Sequence, residues 1–412
     1  MIEKPLAVVL GGTFPHIHLI KLLKERGYYT VLVDYNEAPP AKEVADEHIQ
    51  ESTLDKEIVL SIARDRKASL VISTCVDQAN VTSCFVSENL GLPAPYDYET
   101  ALSVTDKGLM KERMIQHGIP TSRYIFVDSM DDVNLADLTF PLAVKPADSN
   151  SSKGVSKVND HTTLSDSLEE AFAVSRNGRA IVEEYKEGRE IGLDCIIRNN
   201  EAIVVMTRER RKVVSHKDSV QQIQGSYWPA ELTEQNQVDF KQLAENIARA
   251  FNLNNTPLMI QAILDNNEIS IIEFAARIGG GENYRIIKMH TGFDIIDTAI
   301  DSFLGLPLEV HYNLPKGYYA DIYLYVEPRE FGEVTGSSEL LKNNTIEYLN
   351  IYRNRGTKIG PELSSNNRVG AFLVSGNNHA RILRKISSAL EKIEIFDVHG
   401  QSIMRRDIYS AN

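Results

Sequence analysis

The first hundred residues alternate short apolar β-rich runs with helix-patterned stretches, and this alternation constrains the fold more than any other feature. Leu6-Ala7-Val8-Val9-Leu10 has no polar face and runs straight into Gly11-Gly12-Thr13. A helical pattern from Pro15 to Arg26 follows, then Tyr29-Thr30-Val31-Leu32-Val33, ending at Asp34. A second helical stretch, Lys56 to Arg66, precedes Ser69-Leu70-Val71-Ile72-Ser73. Strands that are apolar on both faces and separated by helices imply a parallel sheet with right-handed crossovers and helices on its faces.

Gly11-Gly12-Thr13 occupies the place of a dinucleotide-binding turn, and Asp34 lies 34 − 12 = 22 positions after Gly12, near where a ribose-binding acid would fall. The full G-x-G-x-x-G is absent, because Phe14, Pro15 and His16 fill the turn. A small-substrate pocket at the strand ends is therefore the better expectation than NAD.

The 412 residues exceed what one core usually accommodates. Three regions are expected: a Rossmann-like α/β domain over 1–97, an α+β domain over 98–310 and an α+β segment over 311–412. Leu92-Pro93-Ala94-Pro95 reads as a stiff linker between the first two. A helical segment from Asp106 to Gln116 stops at Gly118, and Pro120 opens an extended piece.

A net charge of −13 argues against binding nucleic acid through phosphate neutralisation. The densest basic run, Arg208-Glu209-Arg210-Arg211-Lys212, reads as a solvated face that gains meaning only if it looks onto an anionic ligand. Cys75, Cys84 and Cys195 show no C-x-x-C spacing, which argues against a disulfide framework; Cys75 and Cys84 lie in apolar stretches and are read as packing residues, and a reducing cytoplasm is the expected setting. His16 and His18 lack the partners a zinc site needs. Neither a membrane span nor a signal peptide is expected, since no long apolar run and no basic n-region occur.

Four later stretches could carry chemistry. Val144-Lys145-Pro146 ends an apolar run and opens a polar, hydroxyl-rich loop from Ala147 to Gly154, including Ser149, Ser151 and Ser152. Backbone N–H groups and hydroxyls of such a loop can cover phosphate oxygens while Lys145 supplies charge. Ala180-Ile181-Val182-Glu183-Glu184-Tyr185-Lys186 runs into either a hairpin with solvated acids or a hinge beside which an adenine ring could insert, with Glu190 following where a carboxylate could accept from ribose hydroxyls. Ile271-Ile272-Glu273-Phe274-Ala275-Ala276-Arg277 delivers a carboxylate and a guanidinium just before Gly279-Gly280-Gly281. This suits a Mg²⁺–triphosphate site, or equally a structural ion pair beside a tight turn. His216 to Trp228 could line an acceptor pocket, with Trp228 serving alternatively as a core anchor; Arg285 and Lys288 could bind a further anion.

The order Lys107, Lys145, Glu183 to Glu190, Glu273 and Arg277 resembles the ATP-grasp superfamily. The resemblance implies ATP and Mg²⁺ (or Mn²⁺) as cofactors. It also implies that a carboxylate is activated as an acyl phosphate for attack by an amine. By resemblance, Lys107 and Lys145 reach phosphates, Ser149 to Gly154 form a mobile phosphate loop, and Glu183, Glu184, Tyr185 and Lys186 form the adenine hinge. Glu190 matches the ribose acid, Glu273 the cation-bridging acid and Arg277 the arginine that stabilises developing charge. Two departures stand out. Ala275 replaces the usual Asn of E-x-N-x-R, as it often does in dipeptide-forming L-amino-acid ligases. Gln261 stands where a second metal-binding acid is usual and offers a neutral carbonyl oxygen. The resemblance thus implies a carboxylate–amine ligase acting on small molecules, amino acids among them. A biotin carboxylase-like or glycinamide ribonucleotide synthetase-like ligase, or a nucleotide-binding regulatory module, are the alternatives. A homodimer is the default expectation for assembly.

Overall fold

The computed structural model describes residues 4–135, 137–148, 154–213, 222–313, 317–361 and 367–409. The N-terminal alternation folds as a parallel sheet in the order Glu47–Ile49, Tyr29–Val33, Leu6–Leu10, Leu70–Ile72. Apart from Leu6 and Tyr29 at their starts, the residues of strands Leu6–Leu10, Tyr29–Val33 and Leu70–Ile72 are buried, in keeping with their apolar runs. The strand order reverses direction between Leu6–Leu10 and Leu70–Ile72, and a cleft opens at such a switch point beyond the carboxyl ends of the strands. Helix Asp77–Leu90 begins there and ends on Gly91, whose φ of +65° supplies the left-handed stop.

Asp34 is spent inside this sheet. Its carboxylate accepts from the Gly12 N–H at 2.7 Å and from the Asn36 N–H at 2.8 Å, and the residue is buried. A Cβ on Gly12 would come within 2.5 Å of Pro39. The turn is closed by its own protein neighbours, in keeping with the missing dinucleotide fingerprint.

The middle of the chain contributes two antiparallel sheets. The smaller runs Tyr124–Val127, Ala180–Glu184, Leu142–Pro146, Ser156–Val158, with helix Leu164–Val174 packed on it. The larger has eight strands: Glu268–Ala275, Thr256–Asp265, Arg189–Arg198, Glu201–Lys212, Ile223–Trp228, Tyr318–Tyr325, Arg368–Gly376, Tyr348–Ile351. Helix Glu234–Ala250 covers one part of it through Phe240, Ala244, Ile247 and Phe251. Helix His379–Lys392 covers the C-terminal strands through Ile382, Ile386 and Ala389. Strand Ile223–Trp228 pairs directly with Tyr318–Tyr325, so residues on either side of position 311 share one sheet. The smaller sheet is hung on the larger where the Ile271 N–H donates to Pro120 O at 2.8 Å and Thr121 Oγ1 donates to Ile271 O at 2.9 Å.

Candidate active site

A cavity of about 910 Å³ lies where the three sheets meet. Lys107 and Lys145 enter it from the smaller sheet and the helix before it; Cys75 and Asp77 enter from the N-terminal sheet. The large sheet contributes Glu190, Arg208, Arg210, Gln261, Glu273 and Arg277.

Lys145 ends strand Leu142–Pro146 and is 9% exposed. Its Nζ donates to Glu183 Oε1 at 2.6 Å. The other oxygen of Glu183 lies 2.8 Å from Lys111 Nζ, and Lys111 also donates to Thr121 Oγ1 at 3.0 Å. Burial alone would push the Glu183 carboxyl up, but the two ammonium groups hold it down to about 2. Burial and the nearby Lys145 charge press Lys111 below its ordinary value, against the pull of Glu183. The sum is one net positive charge in a nearly dry place, suited to an anion. Glu183 therefore orders two lysines instead of meeting adenine through its side chain. Lys111 was missed in the sequence, although it lies one helical turn after Lys107 on helix Lys107–Gln116 and so shares its face.

At the hinge, Glu184 Oε1 accepts from Thr139 Oγ1 at 2.7 Å and also pairs with Arg123. Burial opposes this, yet those donors hold the carboxyl down to about 2. Its side chain is committed to the protein, so only backbone atoms of Glu184 are left to face a ligand. The Tyr185 N–H donates to Pro141 O at 2.9 Å. The Tyr185 ring lies under Lys157 Nζ at 4.6 Å and Lys212 Nζ at 5.2 Å, and Lys186 Nζ sits 3.4 Å from Glu184. Ser149, Ser151 and Ser152 lie outside the described residues. Gly154 closes that loop at φ +69°, where a Cβ would meet Pro146 at 3.0 Å. Val155 beyond it lines the cavity.

The basic run belongs to this site and is no solvated face. On strand Glu201–Lys212 side chains alternate, so Arg208, Arg210 and Lys212 line the cavity. Arg211 instead stacks on Tyr227 at 4.0 Å and Glu209 pairs with Arg189 on the other side. Arg210 Nη1 bridges two of the expected ligand-binding residues, lying 2.6 Å from Glu190 Oε1 and 2.7 Å from Gln261 Oε1. Gln261 stands directly across from Glu273 in the strand register. The pairing slips beyond them, so that Ile272 is the extra residue of a bulge that turns Glu273 toward the cavity. Among the described residues no hydrogen bond or ion pair engages the Glu273 carboxylate, and no cluster of three potential metal ligands occurs. A cation here would find one carboxylate and one amide oxygen already shared with Arg210.

Arg277 is not paired with Glu273. It grips Asp77 with both arms, Nε to Oδ1 at 2.7 Å and Nη2 to Oδ2 at 2.6 Å, while Nη1 donates to Ile278 O at 2.7 Å. Burial works against the guanidinium's charge, but Asp77 more than compensates and raises its affinity for the proton. Asp77 was also missed in the sequence. Its signal is position: it heads the helix after Leu70–Ile72, at the sheet's switch point. Of the glycines that follow, Gly279 is required by space, since a Cβ would come within 2.5 Å of Asn283 Nδ2 and 3.0 Å of Asp194 Oδ1.

Cys75 is also no plain packing residue. Its Sγ lies 3.9 Å from His16 Nδ1 and 3.8 Å from Thr13 Oγ1, beside the cavity. Cys84 is buried, and burial, with the charges of Asp97 and Glu88, pushes its thiol up. Trp228 is a core residue that also lines the cavity, and its Nε1 donates to Asn283 Oδ1 at 3.2 Å. Lys288 is tied to Asp294 at 2.7 Å and Arg285 stacks over Tyr348, so neither is among the cavity-lining residues. Residues 216–221 lie outside the described residues.

Residues 138–284 match the ATP-grasp domain model, and this segment holds Lys145, the hinge, Glu190, Gln261, Glu273 and Arg277. The chain carries an ATP-grasp domain and has the ATP-grasp fold. It is 25% identical over 268 residues to an L-arginine-specific L-amino acid ligase of Bacillus subtilis, covering 61% of this chain and 62% of that protein's length. An L-amino acid ligase structure from Bacillus licheniformis superposes with a TM-score of 0.80 at 19% identity, covering 96% of this chain and 99% of the other. The biotin carboxylase domain of a Hydrogenobacter thermophilus 2-oxoglutarate carboxylase, solved with MgADP and bicarbonate, superposes with a TM-score of 0.73 at 17% identity. That match covers 97% of this chain and 92% of the other. No described helix is long and apolar enough to cross a membrane.

Proposed function

We propose that this protein is an ATP-dependent ligase that activates a small-molecule carboxylate as an acyl phosphate for attack by an amine. One observation supports this above the others. A single cavity combines Lys107, Lys145, Arg208, Arg210, Lys212 and Arg277 with Glu273, a carboxylate without a hydrogen bond or ion pair among the described residues. Several fixed cations in a partly dry cleft suit a polyphosphate, and an acid left without an ion pair among the described residues suits a cation brought by that ligand.

In this reading, Lys107 and Lys145 hold phosphate oxygens, and the segment 149–154, with Ser149, Ser151, Ser152 and Gly154, covers them. Backbone atoms from Glu183 to Lys186 face the adenine, and Glu190 accepts from the ribose. Mg²⁺ (or Mn²⁺) accompanying ATP would neutralise phosphate charge, held mainly by Glu273, with Gln261 contributing a carbonyl oxygen if Arg210 releases it. The substrate carboxylate oxygen attacks the γ-phosphorus, the bond to the β-phosphate oxygen breaks, and ADP leaves. The amine nitrogen then attacks the acyl carbon, loses a proton and expels phosphate. Arg277 is placed to offset the charge on the acyl group in both steps, with Asp77 fixing its orientation. Excluding water from the cleft protects the acyl phosphate from hydrolysis. Three free thiols suit the cytoplasm, and a homodimer is the assembly proposed.

The second reading is a nucleotide-binding module without turnover. Two observations favour it: Arg277 already has Asp77, and the Gln261 oxygen already has Arg210. ATP and Mg²⁺ incubated with a panel of amino acids, singly and in pairs, separate the two. Release of ADP and phosphate that needs two substrates supports the ligase. Nucleotide binding with no release under any pairing refutes it.

A further inference from the structure

One acidic group on the cavity wall has no part in the proposed nucleotide site. Asp321 sits in the middle of strand Tyr318–Tyr325 and is 2% exposed, yet it lines the cavity. Its Oδ1 is buried without a hydrogen-bond partner among the described residues. A carboxyl kept for structure at such burial would normally accept from neighbouring donors, so this oxygen points to a missing partner.

The surroundings specify what that partner is. Glu282, also buried, lines the same part of the cavity; its Oε1 accepts from Asn350 Nδ2 at 2.7 Å and its other oxygen stays 3.8 Å from Arg285. Arg368 draws on Asp321 from a distance, but its guanidinium stacks over Tyr323 at 3.6 Å and its Nε donates to Tyr325 Oη at 3.0 Å. Burial, helped by the charge of Glu282, pushes the Asp321 carboxyl up to about 8, and burial pushes Glu282 up as well. With its value at about 8, the Asp321 carboxyl is largely neutral around pH 7 until a cation draws it into the charged form. A bound nitrogen cation would satisfy the open oxygen and favour the charged form of both carboxyls.

We propose that Asp321, with Glu282 beside it, forms a specificity subsite for a cationic nitrogen of the substrate, an ammonium or a guanidinium. This deepens the ligase reading and rests on it for the word substrate. The attacking amine must carry a lone pair, so the cation held here is a different nitrogen. The ligand is then at least bifunctional, as an amino acid or a diamine is.

The test uses the full-length protein without nucleotide, so its outcome is separate from that of any turnover assay. Calorimetry would compare two pairs of probes: L-alanine against L-lactate, and L-arginine against L-citrulline. In at least one pair the cationic member should bind about tenfold tighter, the usual size of one charge-assisted contact. Asp321→Asn should bring that preference to within about threefold, and Glu282→Gln should reduce it partly. If Asp321→Asn fails to fold, Glu282→Gln alone must still weaken the preference. Equal binding within both pairs, binding of no probe, or a preference unchanged in the variants that fold would overturn the proposal.

Discussion

The lysine pair and the glutamate across the cavity show two ways of holding charge in one site. Glu183 is almost fully buried but fully compensated, with an ammonium group against each carboxylate oxygen. Glu273 is only half-buried, and no described cation pairs with it. The first arrangement is complete without a ligand; the second becomes complete only with one. Asp321 resembles Glu273 in lacking a partner, though it is much more deeply buried. Burial by itself therefore does not separate framework from binding groups here. Whether the protein already supplies the counter-charge does.

Substitutions test this contrast directly. Glu273→Gln should have the largest effect, lowering turnover by about 10³-fold while nucleotide binding stays detectable. Near-normal rates in that variant would remove Glu273 from the cation site. Glu183→Gln should instead damage the framework, leaving two buried ammonium groups without their acid and destabilising the fold by about 3–5 kcal/mol in urea titrations.

The same carboxylate gives a pH dependence whose sign follows from its low folded value. Glu183 titrates near 2 when folded against an ordinary value of 4.5, so its contribution is complete above pH 4.5 and fades as pH falls toward 2. Stability of the wild-type protein should drop across that window, and Glu183→Gln should flatten the drop. Glu184, also held down to about 2, contributes in the same direction and leaves a residual slope. An unchanged slope in the variant would show that Glu183 is not held down by the lysines.

Arg277→Ala should lower kcat by about 10²-fold and affect nucleotide affinity much less, because the charge it meets develops during reaction. Asp77→Asn should lower kcat in the same direction by about tenfold, since the fork loses its guide. An effect confined to ATP affinity would contradict both. Gln261→Glu is the mildest change. It should lower the Mg²⁺ concentration needed for half-maximal activity by a few fold, limited by competition from Arg210. No change in Mg²⁺ dependence would place Gln261 outside the cation site.

The sequence by itself determined the local elements and the chemical inventory. Apolar runs without a polar face announced buried parallel strands, because such segments are stable only when covered on both sides. The order of Lys107, Lys145, Glu190, Glu273 and Arg277 was also readable, since Lys107 opens a helix, Glu190 lies at the start of a strand, Lys145 and Glu273 lie near strand ends and Arg277 follows one, each with its own pattern. The partners were not readable. Arg277 meets Asp77 across 200 positions, and Lys145 and Lys111 share Glu183 only after a helix docks on the smaller sheet. The basic run 208–212 looked like solvent-facing charge. Strand alternation sent three of its residues into the cavity once its neighbours in the sheet were set. Asp321 was one acid among 57 Asp and Glu residues. Its buried oxygen without a donor is a property of the assembled sheet, because electrostatic compensation depends on distance in space and not on spacing along the chain.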